Sequence, residues 1–304
     1  MALRLDQLSA PATAGASAER ERAALSALLD TASFEVSVAA ARRIADFRSL
    51  FAPKTRIFVP FTPRTRLEGW LGLIARLGAE DMRPVPHLCA RRLESRAALE
   101  DLLDELRARK VREILLIAGD APQPEGPFAS SLEVLESGLI ERFAPERLYV
   151  AAHPEGHPHA AAAVLDRALA AKTAWSRACG IPLELVTQFG FDPEAPIRFE
   201  QGLTARGLAL PLRVGLAGPA SLTTLVRYAM SCGVRASASF LRSRGEKVLG
   251  LLAARAPDAE IAALADHLAR HPGCLIRAIH LFPFGGIEAS LAWLRGVRER
   301  MAAG

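Results

Sequence analysis

Ionisable side chains interrupt or follow several short apolar runs of this 304-residue sequence. Glu35 lies within such a run, between Phe34 and Val36. A carboxylate inside a buried strand is costly unless it is paired or used in chemistry. Burial also raises the pKa of a carboxyl group towards neutrality, which suits a general acid or base. Glu35 is therefore a candidate for proton transfer, with a salt bridge at the strand end as the structural alternative.

Histidine and aspartate follow other apolar runs. His87 ends one run, Asp120 follows Gly119 after the next, and His153 and His157 bracket a short loop. The proline and glycine in that loop disfavour a helix with both imidazoles on one face, and a third ligand is not evident. The sequence therefore predicts no metal site, and each histidine can also be a packed loop residue.

A further apolar run ends in the stretch 187–192, with the sequence TQFGFD. Gln188 beside aromatic residues is suited to hydrogen-bonding the edge of a planar ring, and a packed strand-end glutamine is an equal alternative. Glycines follow the last two apolar runs, in Gly215–Ser221 and at Gly285 and Gly286. Backbone amides in such loops can form a phosphate cradle.

These residues need a scaffold that brings the ends of the apolar runs together. The predicted strands are Ala32–Val38, Arg56–Pro60, Met82–His87, Glu113–Ala118, Arg147–Ala152, Leu183–Thr187, Leu212–Leu216 and Leu275–Phe282. Continuous apolar runs alternating with helices are typical of parallel strands covered on both faces. A G-x-G-x-x-G motif does not follow the first strand, which disfavours an open dinucleotide-binding sheet. We therefore predict a (β/α)8 TIM barrel with its chemistry at the carboxyl ends of the strands.

The domain organisation predicted from this pattern is simple. Residues 1–31 form an N-terminal arm and a short helix (18–29), and residues 32–304 form a single barrel. Extra helices are predicted between strands seven and eight, over 220–231, 235–253 and 257–271. The other helices are predicted near 40–49, 65–78, 95–109, 131–142, 160–178, 198–206 and 286–301.

Composition narrows the classes of partner. The net charge is +5, but arginines alternate with acidic residues, and a basic cluster of the kind that binds nucleic acid is missing. An apolar run of roughly 18 residues, which would span a bilayer, is also missing. The four cysteines have no metal-binding spacing. We therefore expect a cytoplasmic protein without nucleic-acid or membrane partners, and a homo-oligomer stays open.

Taken in order, the strand-end motifs resemble one known family. Ser33-Phe34-Glu35, Pro86-His87-Leu88, Gly119-Asp120 and the stretches 151–158 and 187–192 resemble the methylenetetrahydrofolate reductases, in a diverged bacterial branch. The resemblance spans almost the whole predicted barrel. It implies reduction of 5,10-methylenetetrahydrofolate to 5-methyltetrahydrofolate by non-covalently bound FAD, with NADH or NADPH as electron donor.

The resemblance also implies roles for individual residues. Glu35 would be the general acid for the folate, and Asp120 the carboxylate beside the flavin and the folate. The folate substrate would contact Gln188, Phe189 and Phe191. The FAD-binding residues would be His87, Gly119, Asp120, His153, His157, Asp166 and Lys172. The sequence departs from the family pattern at Ala118, Leu225 and Gly286.

Two other functions stay open from the sequence. One is a barrel that binds folate or flavin without turnover, for example as a regulatory subunit. The other is a flavin-free barrel enzyme acting on a phosphorylated metabolite through the loops Gly215–Ser221 and Gly285-Gly286.

Overall fold

Eight parallel strands close into a barrel in a computed structural model, which describes residues 10–157, 160–231 and 254–303. The barrel strands are β1 (Ser33–Glu35), β2 (Arg56–Val59), β3 (Arg83–Cys89), β4 (Glu113–Ile117), β5 (Arg147–Ala152), β6 (Leu183–Thr187), β7 (Leu212–Ala217) and β10 (Ile276–Phe282). Their order around the barrel is β1-β10-β7-β6-β5-β4-β3-β2. The predicted (β/α)8 barrel is confirmed. Two short strands, β8 (Ala220–Ser221) and β9 (Ala254–Arg255), form a separate antiparallel pair.

Helices surround the barrel. They are α1 (Ala10–Asp30), α2 (Val38–Ala41), α3 (Leu67–Ala79), α4 (Arg96–Ala108), α5 (Ser131–Glu136), α6 (Leu139–Phe143), α7 (Ala162–Cys179), α8 (Ala195–Ala205), α9 (Leu222–Ser231), α10 (Asp258–Arg270) and α11 (Ile287–Ala303). Serine side chains cap several of them; Ser95, for example, accepts a hydrogen bond from the backbone N–H of Ala98 at 3.0 Å. None of the described helices has the length and apolar character required to cross a lipid bilayer.

The structure differs from the predicted elements at a few points. The helix predicted over 131–142 is broken at Gly138, whose φ of 76° is a left-handed conformation that glycine adopts readily. The helix predicted near 40–49 is reduced to α2 and a 3₁₀ turn at Phe47–Ser49. The first helix begins at Ala10 rather than at residue 18. The helix predicted over 235–253 lies outside the described residues.

The barrel interior has an apolar middle layer and a charged lower layer. Phe58, Val85, Leu115, Tyr149 and Val186 form the apolar layer. The charged layer lies at the amino ends of the strands, and we call it the floor network; its members are Arg56, Arg83, Glu113, Arg147, Glu184 and Arg213. The hydroxyl of Tyr149, in the apolar layer, donates a hydrogen bond to Glu113. Because the floor network closes the lower end with paired charges, the open end of the barrel is at the carboxyl ends of the strands.

Two loops at that open end pack backbone against backbone. A Cβ added at Gly285 would lie 1.9 Å from the Pro219 carbonyl oxygen. We therefore expect Gly285→Ala to cost about 1–3 kcal/mol of stability, because the backbone of one loop must move. Gly296→Ala is the matched control: it lies inside α11, its Cβ would meet only the Arg300 side chain at 3.6 Å, and alanine favours the helix. Equal melting temperatures for the two variants would contradict this packing.

Candidate active site

Two ionisable side chains meet inside the open end of the barrel. Glu35 is the last residue of β1, His87 lies in β3, and strand β2 runs between them. Glu35 Oε2 lies 3.8 Å from His87 Nε2, which is too long for a hydrogen bond. His87 Nε2 is buried and has no hydrogen-bond partner among the described residues. The pair is therefore close enough to contact one small group between them.

Burial sets the protonation states of this pair in opposite directions. It raises the pKa of Glu35 to about 7 and lowers the pKa of His87 to about 3. Both shifts follow from the cost of removing a charge from water. At neutral pH, Glu35 is divided between its protonated and ionised forms while His87 is neutral. Glu35 can therefore give or accept a proton at that pH.

A second histidine lies one layer below Glu35. His280 in β10 is the register partner of Ser33 in β1, and its Nδ1 lies 2.9 Å from Ser33 Oγ. Arg213 in β7 donates to the same Oγ at 3.1 Å. Burial and the charge of Arg213 hold the pKa of His280 well below its usual range. Neither His280 nor Arg213 is predicted as a site residue from the sequence, although each is a polar residue in an apolar strand, the signal that identifies Glu35.

A basic cluster lies across the barrel from Glu35, after β5. The rings of His153 and His157 are 4.8 Å apart and meet edge to face. Lys172 in α7 is close enough for its charge to lower the pKa of His153, although burial is the larger cause, and that pKa is about 4. Burial lowers the pKa of Lys172 itself to about 8. We call His153, His157 and Lys172 the basic cluster; the Lys172 amine has no ion pair or hydrogen bond among the described residues.

A recess adjoins the basic cluster at the ends of β5, β6 and β7. Its lining includes His153, Thr187, Gln188 and Gly215. Gln188 Oε1 accepts a hydrogen bond from the backbone N–H of Phe189 at 3.1 Å. Phe189 and Phe191 are buried and belong to an apolar cluster beside the recess. Phe189 therefore contributes to the lining of the recess, whereas Phe191 belongs only to the apolar cluster beside it.

The two aspartates predicted from the sequence lie in surface ion pairs. Asp120 follows Gly119, whose φ is 90°, and accepts a hydrogen bond from Arg92 at 2.8 Å. Its side chain is 64% exposed, and the structure brings it into no contact with Glu35. Asp166 in α7 pairs with Arg206. Each carboxylate is therefore already paired with an arginine at the surface.

The glycine loops after β7 and β10 contact each other. A Cβ at Gly218 would lie 2.4 Å from Ser290 Oγ, and the corresponding contact at Gly285 is with Pro219. Gly286, with a φ of 105°, has the Glu288 carboxylate 3.5 Å from its added Cβ. Two of these glycines are therefore required for packing between the loops, and an acidic side chain stands beside the third. Within the described part of the chain, no three His, Cys, Asp or Glu side chains are grouped to hold a metal ion.

Comparisons with known proteins show no family for this chain. No protein-family model matches the chain. A putative phosphonomutase from Burkholderia cenocepacia J2315 has a TM-score of 0.49 at 14% identity, over 93% of this chain and 99% of its own. Phosphonopyruvate hydrolase, solved with oxalate and Mg²⁺, has a TM-score of 0.45 at 11% identity, over 94% and 87%. Dihydropteroate synthase from Thermus thermophilus has a TM-score of 0.44 at 13% identity, over 88% and 93%.

These comparisons correct the family expected from the sequence. The resemblance to the methylenetetrahydrofolate reductases is wrong, because no family model matches and the similar structures are enzymes of other classes. The expected flavin-dependent reduction of methylenetetrahydrofolate is wrong with it, as are FAD and NADH or NADPH as cofactors. Short polar motifs after barrel strands occur wherever a barrel carries a site at that end, so their order alone does not identify a family.

Proposed function

We propose that this protein is a flavin-free (β/α)8-barrel enzyme that performs proton transfer on a phosphorylated metabolite. Glu35 would move the proton, and the basic cluster would hold the phosphate. The observation that carries the proposal is Glu35, a carboxyl group with a pKa of about 7 at the open end of the barrel. A general acid or base is most effective when its pKa lies near the working pH.

Opposite sides of the barrel would bind the phosphate and carry out the proton transfer. Strands β1 and β5 are four positions apart in either direction around the eight-stranded barrel. A metabolite with its phosphate at the basic cluster would extend its carbon chain across the opening towards Glu35 and His87. Neutral His87 would contact the reacting group without adding a charge. A substrate that fits this arrangement has a phosphate at one end and its reacting carbon a few bonds away.

Phosphate binding should depend on Lys172 and on pH. We expect Lys172→Met to weaken binding of 2-phosphoglycolate about 10- to 100-fold, the value of a hydrogen bond to a charged group. Because burial lowers the pKa of Lys172 to about 8, the affinity should fall as the pH rises through that value. It should also fall below about pH 6, where the phosphate takes up a proton. Isothermal titration calorimetry at several pH values measures both effects.

A matched lysine controls this experiment. Lys110 is exposed and precedes β4, at the opposite end of the barrel from the basic cluster. Lys110→Met removes the same charge and should leave the affinity unchanged. Equal affinities for the Lys172→Met variant and the parent protein would contradict phosphate binding by the basic cluster.

Proton transfer can be followed directly. Phosphorylated aldehydes, ketones and 2-oxo acids incubated with the protein in D₂O would exchange hydrogen for deuterium at the carbon beside the carbonyl. Proton NMR detects that exchange. We expect Glu35→Gln to slow it by about two to four orders of magnitude. Exchange at the parent rate in this variant would exclude Glu35 as the acid or base.

The cellular compartment is part of the same proposal. Cys89, Cys179 and Cys274 are free thiols among the described residues. Reducing compartments keep thiols in this form. We therefore place the enzyme in the cytoplasm.

A further inference from the structure

Arg213, a member of the floor network, is held in one position inside the barrel. Its Nε donates to Glu184 at 2.9 Å, and its Nη1 donates to the Thr31 carbonyl at 2.9 Å and to Ser33 Oγ at 3.1 Å. Both Arg213 and Glu184 are buried. A guanidinium group has donors and no acceptor, so the direction of each of these hydrogen bonds is certain.

The position of Arg213 determines which group accepts a hydrogen bond from the Ser33 hydroxyl. Two acceptors lie within reach of the Ser33 hydroxyl, His280 Nδ1 at 2.9 Å and the Ile279 carbonyl at 3.3 Å. Arg213 also approaches the Ile279 carbonyl, at 3.3 Å. The shorter contact and the competition at Ile279 direct the hydroxyl proton of Ser33 to His280 Nδ1. Nδ1 is then an acceptor, and the proton of the neutral imidazole resides on Nε2.

The remaining nitrogen of His280 is free for another partner. Phe58 and Phe282 lie against the ring, with centroid distances of 4.5 and 4.7 Å, and offer it no conventional hydrogen-bond acceptor. Nε2 has no hydrogen-bond partner among the described residues. Ser33 and Glu35 are two residues apart in β1 and face the same side of that strand. His280 and Glu35 therefore border the same interior space.

We propose that His280 is a second catalytic residue, a neutral donor whose Nε2–H binds the substrate oxygen on which negative charge develops. This inference rests on the proposed function and deepens it, because it makes the substrate a carbonyl or carboxyl compound. When Glu35 removes a proton from the neighbouring carbon, the electron pair moves onto that oxygen, and a fixed donor in a dry site stabilises it. Ser33 and Arg213 are positioning residues, since they act through His280.

Nitrogen NMR of protein with ¹⁵N-labelled histidine tests the inference on the free protein. The expected result is a neutral His280 with its proton on Nε2 throughout the range pH 5 to pH 9. Burial, the charge of Arg213 and the nearby His87 all lower the pKa of His280, so its imidazole stays neutral. Ser33→Thr should keep this tautomer, because threonine retains the hydroxyl. Ser33→Ala should shift the proton towards Nδ1, because the donor to that nitrogen is lost.

Pyruvate serves as the probe of the oxygen-binding role. We expect millimolar pyruvate to move the Nε2 resonance of His280 in the parent protein and in Ser33→Thr, and to move it less in Ser33→Ala. A His280 with its proton on Nδ1, or a resonance that pyruvate leaves in place, would overturn the inference. The tautomer of His280 and its response to pyruvate in the parent protein still test the inference if the Ser33→Ala variant does not fold.

The test is separate from that of the proposed function. Pyruvate has no phosphate, so its effect on His280 does not depend on Lys172. Failure of the parent protein to bind 2-phosphoglycolate would count against the phosphate site, while a His280 resonance that pyruvate leaves unchanged would count against the donor alone.

Discussion

We expect the Glu35→Gln variant to be more stable than the parent protein at pH 8, by about 2 kcal/mol. Burial raises the pKa of Glu35 from 4.5 to about 7. A shift of one pKa unit corresponds to about 1.4 kcal/mol, so the full shift corresponds to roughly 3.5 kcal/mol. A quarter of the side chain remains exposed, which reduces that value. Glutamine has nearly the same shape and carries no charge at any pH.

The sign of the effect follows from the two protonation states. Below pH 4.5, Glu35 is protonated in both the folded and the unfolded protein, and ionisation costs no stability. As the pH rises from 4.5 to about 7, the unfolded chain ionises first, and the folded protein loses stability. The advantage of Glu35→Gln should therefore be absent at pH 4 and complete near pH 8. The lowered pKa of His87 affects the free energy of unfolding only below about pH 6.5, and it does so in both proteins. It therefore cancels in the stability difference between the variant and the parent protein.

Urea unfolding of both proteins at pH 4 and pH 8 measures this difference. Glu136→Gln is the control, because Glu136 is an exposed glutamate on α5. It should change stability by less than about 0.5 kcal/mol at both pH values. A Glu35→Gln variant no more stable than the parent at pH 8 would show that the carboxylate is not desolvated, and the proton-transfer role would lose its basis.

Removal of Glu184 should be strongly destabilising. Glu184 accepts hydrogen bonds from Arg213 at 2.9 Å and from Arg147 at 2.8 Å, and the side chains of Glu184 and Arg213 are about 95% buried. Glu184→Met leaves the Arg213 charge in the barrel without its counter-ion. Breaking a buried ion pair in this way costs about 3–5 kcal/mol. Thermal unfolding should show a lower melting temperature with the fold retained.

A double variant separates the charge from the packing. Arg213→Met in the Glu184→Met background removes the uncompensated charge, and we expect it to recover a large part of the lost stability. Glu105→Met is the control, because its ion pair with Arg109 is exposed and contributes less than about 1 kcal/mol. A double variant less stable than Glu184→Met would mean that Arg213 stabilises the barrel mainly through Ser33 and the carbonyl groups it binds.

Most of the barrel can be predicted from the sequence. The apolar runs Arg147–Ala152 and Leu183–Thr187 coincide with the observed β5 and β6, because strands buried on both faces are apolar over most of their length. The first strand is predicted from Ala32 to Val38 and is only Ser33–Glu35, since Ser37 caps α2 directly after it. Local capping chemistry thus shortens a strand whose apolar pattern continues.

The site is only partly accessible to sequence reasoning. Glu35 and His87 can be identified because each interrupts or ends an apolar run, and the fold brings them together. Asp120 and Asp166 have the same residue type as a catalytic carboxylate, yet each pairs with an arginine at the surface. No feature of the local sequence predicts Arg92 and Arg206 as their partners. A resemblance built on strand-end motifs therefore led to the wrong family and cofactor.

The sequence by itself determines the alternation of strands and helices and the residues that follow each strand, because both depend on local pattern. The tertiary structure decides which of those residues meet. Ser33 and His280 are 247 positions apart and contact each other because β10 closes the barrel against β1. Arg213 reaches Ser33 across β10 for the same reason. Closure also removes water from Glu35 and His87 and moves their pKa values in opposite directions, since desolvation depends on the finished barrel rather than on neighbours in the chain.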